Sequence, residues 1–303
     1  MEQKKRGIID IGTNSVRLLI AEKNGGEEWK TLTKKLNSCR LGEGMTDTAS
    51  LSSCAMDRTM QAIKGFVEEA RAAGVTDLSA YGTSIMRDAK EAGAFAEKVT
   101  RETGVPVKVL SGQEEAFYSY VGAAGTANAV TAVVDIGGGS TEICMGYGTD
   151  IGYRKSFNMG CVRCSSQFDT TSARGLGELK KYCFEQFKTA DQMSSVKCWV
   201  CVGGTATSVA AILQEMDRYD AAKIQGFTVK ENDVSRLLKE LSAMSYDQRC
   251  QVKGLMPERA DIIVAGVAIL DSLMEYFALD EVAISDRDLQ EGLLDLGTVK
   301  PGA

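Results

Sequence analysis

Two stretches of this chain say nearly the same thing: IIDIGTNSVRLLIA over 8–21 and VVDIGGGSTEICMG over 133–146. Asp10, Ile11, Gly12 and Ser15 match Asp135, Ile136, Gly137 and Ser140, each 125 residues further on, with apolar runs on both sides. In each copy an apolar strand ends in Asp, the chain turns through Gly and small polar residues, and a second strand leaves. A repeat at this spacing points a chain of 303 residues to a duplicated fold of two lobes, each large enough for its own core. The expected units are 1–125 and 126–303, joined through the small-residue stretch GAAGTANA, 122–129. The sharpest contrast between the copies is Arg17 opposite Glu142.

The rest of the pattern agrees with duplication. Strands are predicted at 6–10, 15–23 and 28–37, a helix at 52–73, a strand at 77–82, a helix at 88–103, a short strand after Pro106 and a helix opening at Ser111. The second half restarts with strands at 131–136, 140–148 and 150–157, a helix at 176–189, a strand at 197–202 and a helix from 205. Helices at 231–243 and 257–278, a strand at 282–285 and a helix at 288–296 complete it. Hairpins followed by alternating strands and helices predict an α/β fold with mixed sheets covered by helices.

Composition restricts the chemistry. The sequence contains no His, which excludes Ser-His and Cys-His nucleophile pairs, a His base and His metal ligands. Acid-base work falls to carboxylates, Lys, Tyr or Cys, and oxygen-ligated metals stay open. A net charge of −6 gives no general attraction to nucleic acid or to acidic membranes, so an anionic ligand needs a local site. The start MEQKKRGIIDIG enters a buried-type strand directly, no apolar run has transmembrane length, and nine scattered Cys suit reduced thiols, so a cytoplasmic location is expected. Cys161-x-x-Cys164 and Cys198-x-x-Cys201 imitate a zinc site, but Cys198 and Cys201 fall on a predicted strand, where residues three apart face opposite ways.

Glycine turns bring backbone N–H groups close to a ligand and suit phosphate oxygens, and Ser15, Ser140 and Thr141 add hydroxyl donors. An Asp beside a phosphate is repelled unless a cation lies between, so Asp10 and Asp135 imply Mg²⁺ or a carboxylate that orders water. Two hairpins with Asp-Gly turns and no ligand are the plain alternative, and a paired occurrence at lobe spacing favours the phosphate site. A third turn, Gly203-Gly204-Thr205, precedes a helix, whose N-terminus attracts anions. In LSGQEEAFYSYVGA, Ser111 and Glu114 fit a helix-capping pair, whereas Glu115 has no such duty. Its helical neighbours Ser119 and Gly122 form a small-residue stripe that suits a cleft, with Phe117, Tyr120, Val121 and Ala124 as core face, and a solvated Glu115 is the alternative.

In order, DIGTNSVRLLI, YGTSIMRD, LSGQEEAFYSYVGA, VVDIGGGSTE, NMGCVR, CVGGTATSVAAI, GLMPERADIIVAG and ISDRDLQEGLL resemble the exopolyphosphatase and guanosine pentaphosphate phosphohydrolase family over about residues 6–296. The resemblance implies two ribonuclease H-like lobes of the actin-like ATPase superfamily with an active site in the cleft between them. It makes Glu115 the general base, places Asp135 and Glu142 on Mg²⁺ or the attacking water, and puts Asp10 near the same metal. Gly12, Thr13, Asn14, Ser15, Gly137, Gly138, Gly139, Ser140 and Thr141 would cradle phosphates, Gly203, Gly204 and Thr205 would form the third loop, and Arg17 and Arg87 would supply positive charge. Phosphoryl transfer suits this equipment, since it needs positioning and charge neutralisation and no His.

The implied activity is Mg²⁺-dependent removal of the terminal phosphate of inorganic polyphosphate, with Mn²⁺ as the other metal. Guanosine pentaphosphate (pppGpp) is the alternative substrate, and a non-hydrolysing alarmone or polyphosphate sensor and an ADP-dependent phosphotransferase are the other classes; a homodimer stays open. Longer family members add a helical extension with a His/Asp-type domain that grips long polyphosphate; this sequence has the short form, which puts processive action in question. It also has Asp288 where the family pattern leads one to expect glycine, at the start of a predicted helix, where an acidic group would alter anion binding if it faced the cleft.

Overall fold

The first repeat folds as an antiparallel hairpin, β1 (Lys4–Ile11) with β2 (Val16–Lys23), and the second as its counterpart, β6 (Thr131–Ile136) with β7 (Thr141–Tyr147). The register preserves the repeat: Asp10 lies across from Arg17, and Asp135 across from Glu142. The structure is a computed structural model that describes residues 4–23, 28–45, 50–124, 127–190 and 193–296.

The first lobe adds β3 (Lys30–Asn37), β4 (Asp77–Gly82) and β5 (Val107–Val109) to give a sheet ordered β3-β2-β1-β4-β5. Helices α1 (Ser53–Ala72), α2 (Ser84–Asp88) and α3 (Ala92–Thr103) cover one face. The second lobe contains β8 (Asp150–Phe157), β9 (Cys198–Val202), β10 (Thr228–Lys230) and β11 (Glu281–Ile284), in the order β10-β11-β9-β6-β7-β8. Around it pack α5 (Cys161–Gln167), α6 (Ala173–Phe187), α7 (Gly203–Leu213), α8 (Ala221–Ile224), α9 (Glu231–Ala243), α10 (Tyr246–Arg249) and α11 (Ile263–Tyr276). Both sheets mix parallel and antiparallel pairs, and their central strands are apolar on both faces because helices cover both.

Two helices cross between lobes. Helix α4 (Gly112–Ala124) sends Tyr118 into a cluster with Ile8, Leu19 and Tyr81 of the first sheet, and Ala116, Tyr120 and Ala124 into one with Val133, Cys144 and Val202 of the second. It is therefore buried nearly all round, where a single core face was expected. The last helix, α12 (Leu289–Leu296), returns to the first lobe through Leu289, Leu293 and Leu294, although its sequence belongs to the second half.

The expected helix over 257–278 is interrupted: Pro257–Arg259 is a 3₁₀ turn, and the α-helix starts at Ile263. Helix α5 was not predicted, since Cys, Val and Ser are weak helix formers; it is held by Cys161 and Val162 N–H groups donating to the Gly137 and Gly138 carbonyls. Cys198 is exposed and Cys201 buried, on opposite faces of β9. No helix among the described residues is long and apolar enough to cross a membrane.

Candidate active site

The two glycine turns close in the same way, Gly12 N–H donating to the Ser15 carbonyl and Gly137 N–H to the Ser140 carbonyl, each at 3.0 Å. They face each other so closely that a Cβ on Gly138 would lie 2.9 Å from the Thr13 Cβ, and one on Gly139 would lie 2.5 Å from the Ser84 hydroxyl. Loop carbonyls are occupied from outside: Arg40 and Gly42 N–H donate to Asn14 and Thr13, and the α5 start donates to Gly137 and Gly138. The amides of Thr13, Asn14, Gly138 and Gly139 have no acceptor among the described residues. Between the loops opens a cavity of about 440 Å³ that runs on to Gly203 and Gly204. Free N–H groups from two lobes converging on one cavity form a cradle for phosphate oxygens.

Buried carboxylates line or underlie this cavity. Glu115 is held by Arg87, whose guanidinium also donates to the Leu110 carbonyl at 3.1 Å and lies 3.8 Å from Glu142. Burial pushes Glu115 up to about 7 despite the opposing pull of Arg87. Asp135 accepts from the Ser119 hydroxyl at 2.7 Å, and burial followed by the charge of Asp288 raises it to about 6. Glu142 accepts from the Ser156 hydroxyl at 2.6 Å, and burial, then Glu115 and Asp135, hold it well above the carboxylate range. Burial also raises Asp10, against Arg17, which donates to its Oδ2 at 2.9 and 2.7 Å. Glu114 forms the capping pair with Ser111, its N–H and side chain exchanging bonds of 3.2 and 2.9 Å, which leaves Glu115 free to face the cavity.

Asp10 Oδ1 and Glu142 Oε2 are buried oxygens without a hydrogen-bond partner in a site of oxygen donors. Such a donor set fits a hard divalent cation. Among the described residues no three carboxylates or thiols cluster tightly enough to cage a metal alone.

A model described as the Ppx/GppA phosphatase family matches residues 19–298. The chain belongs to the Ppx/GppA family. It is 29% identical over 306 residues to exopolyphosphatase 2 of Mycobacterium tuberculosis, covering 94% of this chain and 96% of the relative. It is equally 29% identical over 292 residues to guanosine-5′-triphosphate,3′-diphosphate pyrophosphatase of Vibrio parahaemolyticus, covering 94% of this chain and 58% of that one. The solved PPX-GPPA enzyme of Aquifex aeolicus matches with a TM-score of 0.81 at 27% identity, over 97% of this chain and 99% of that one. Curated relatives differ in length, and the chain spans from 45% to 96% of them.

In this Ppx/GppA chain most residues singled out from sequence meet at the cavity. Gly12, Thr13, Asn14, Ser15, Gly137, Gly138, Gly139, Ser140, Gly203 and Gly204 line it together with Asp10, Arg17, Glu115 and Asp135. Arg87 and Glu142 lie behind Glu115. Two expectations are corrected. Thr141 opens β7 and donates its hydroxyl to the Met159 carbonyl at 2.6 Å, and Thr205 is buried in α7 against Gly266, so neither faces the cavity. Arg17 faces it, but between Asp10 and Asp288 rather than as a free cation.

Arg259 was missed. It lies over Gly204, where a Cβ would meet its Nη1 at 2.0 Å, and it is buried, its guanidinium without a hydrogen-bond or ion-pair partner among the described residues. Burial lowers its pKa from the ordinary arginine value. Flanked by Glu258 and Asp261 in MPERADII, it reads as one charge of an ordinary polar turn, so no local signal marks it as buried.

Proposed function

We propose that this chain is a Mg²⁺-dependent exopolyphosphatase that hydrolyses the terminal phosphoanhydride bond of inorganic polyphosphate. One observation carries the reading: Glu115 is a cavity-facing carboxylate beside two opposed glycine loops, with its pKa raised to about 7. Glu115 takes a proton from water as the water oxygen bonds to the terminal phosphorus. The bridging P–O bond breaks in line, releasing phosphate and a chain one unit shorter. Loop amides and hydroxyls orient the three terminal oxygens, and Arg87 aligns the Glu115 carboxylate. Asp10 and Asp135, with Glu142 behind them, are the groups that would hold Mg²⁺, which when bound neutralises charge on the phosphate oxygens.

The relatives named exopolyphosphatase and pyrophosphatase support this class of reaction. The second reading, hydrolysis of guanosine pentaphosphate, is favoured by the far end of the cavity, where Tyr219 and Met256 offer exposed apolar surface beside Arg259. Phosphate release from medium-chain polyphosphate and from guanosine pentaphosphate, with Mg²⁺ and with chelator, tests both. Metal-dependent release that falls by about 10³-fold or more in a folded Glu115→Gln variant is expected for whichever substrate is native. Full activity in that variant removes the mechanism.

A further inference from the structure

The cations beside α12 are already shared by the protein's own acids. Arg17 spans Asp10 and Asp288, and Lys34 reaches Asp286 at 2.9 Å and Glu291 at 3.0 Å. Arg259, which lines the same cavity, has no side-chain ion pair among the described residues. A polyanion entering the cleft therefore meets, among the described residues, one uncommitted guanidinium and a set of cations already neutralised by the protein.

Asp288 is the residue that completes this asymmetry. A helix N-terminus beside an arginine would ordinarily favour an anion. Here the place is filled from within: Asp288 Oδ1 accepts from Gln290 N–H at 3.0 Å, its own N–H donates to Glu291 Oε2 at 2.9 Å, and its Oδ2 takes Arg17. The carboxylate is 3% exposed yet lines the cavity. Its backbone is wedged against α4, where a Cβ on Gly122 would lie 1.9 Å from the Asp288 carbonyl oxygen, so it has no room to swing away. Burial alone would raise its pKa, but Arg17 and Lys34 outweigh burial and keep it ionised.

We propose that Asp288 is a specificity-determining residue: it stands where a substrate phosphate would otherwise bind, engages Arg17, and confines the substrate's charge to the line from the glycine loops toward Arg259. The proposal rests on reading the cleft as a phosphoanhydride site. It predicts that anion affinity is limited by the protein's own carboxylate, and that removing that charge uncovers a cationic wall.

The test is Asp288→Asn, which keeps the helix cap and removes the charge. Binding of inorganic tripolyphosphate by calorimetry and hydrolysis of medium-chain polyphosphate are followed in parallel at low and high salt. The expected result is a fall of about tenfold in Kd and KM at low salt, with kcat within about twofold and the gain shrinking as salt rises. In an Arg17→Gln background the same change is expected to give no gain, because the effect runs through Arg17. Asp295→Asn, on the same helix but outside the cavity, makes the same change in net charge and is expected to leave Kd unchanged. An unchanged Kd in Asp288→Asn, an equal gain in Asp295→Asn, or a drop in kcat with weakened Mg²⁺ dependence each overturns the proposal. Wild-type protein that binds tripolyphosphate without hydrolysing polyphosphate removes the hydrolase reading instead, and the binding arm still decides the role of Asp288.

Discussion

Glu115 is pulled in two directions: burial favours its proton, and Arg87 favours its charge. A general base works only when deprotonated, so kcat/KM is expected to climb with an acid limb near pH 7 and level off above it. Arg87→Gln removes the charge that opposes burial, so the limb moves to higher pH and the rate at neutral pH falls; a limb that stays in place contradicts this account of the pair. That Glu115 rather than Glu114 faces the cavity was partly legible, because the Ser111 and Glu114 pair occupies the other acid of QEE, while its role as base came from the family resemblance alone. The partners of Asp135 and Arg17 were less so. Ser119 lies one helical turn from Glu115 and was placed on a cleft-facing stripe, but its bond to Asp135 crosses between lobes. Asp288 drew notice as a departure in sequence, while its pairing with Arg17 joins residues 271 apart in the chain. Nothing local encodes such a contact.

At the scale of elements, α4 is positioned by its crossing with α12. Gly122 and Gly292 allow backbone to approach backbone: a Cβ at Gly292 would sit 1.9 Å from the Tyr118 carbonyl oxygen, the mirror of the Gly122 clash with Asp288. Each Gly→Ala substitution is expected to cost about 2 kcal/mol or more, because backbone rather than a flexible side chain must move. That lowers Tm by about 3 °C or more, and the displaced α4 carries Glu115 with it, so kcat falls too. Gly65→Ala in α1, with nothing within 4 Å of its added Cβ, is expected to be neutral or stabilising by up to about 1 kcal/mol. Equal behaviour at all three positions refutes the packing account. Long periodic helices and the two hairpins were legible because burial of one stripe or face leaves a period in the sequence. The stretch 122–129 read as a joint for the same reason that it packs closely, its small side chains; Gly122 to Ala124 are helical, and residues 125 and 126 lie outside the described ones. Helix α5 left no period because tertiary contacts to the second glycine loop hold it.

For the whole molecule, duplication predicted two sheets, and the return of α12 to the first sheet was hidden because it is a contact between chain ends. The same architecture brings carboxylates from both lobes to one buried place: Asp10 from the first sheet, Glu115 from α4, and Asp135 and Glu142 from the second sheet. All four have folded-state pKa values raised chiefly by burial, Glu115 to about 7 and Asp135 to about 6. A carboxyl group whose pKa is higher folded than unfolded stabilises the fold at low pH, and that contribution is lost as pH rises from the unfolded value, about 4, through the folded one. The metal-free protein is therefore expected to lose Tm between about pH 5 and pH 8. A divalent cation taking the place of those protons offsets the loss, and it competes with fewer protons at the higher pH. Millimolar Mg²⁺ is thus expected to raise Tm more at about pH 8 than at about pH 6, by on the order of 2–3 kcal/mol when well above its Kd. KCl at matched ionic strength is expected to have little effect, since screening acts weakly on buried charges. Calorimetric scans with chelator, Mg²⁺ and KCl at both pH values decide the matter. Equal gains at both values, or equal gains from KCl, show that the orphaned oxygens of Asp10 and Glu142 are not what the cation satisfies.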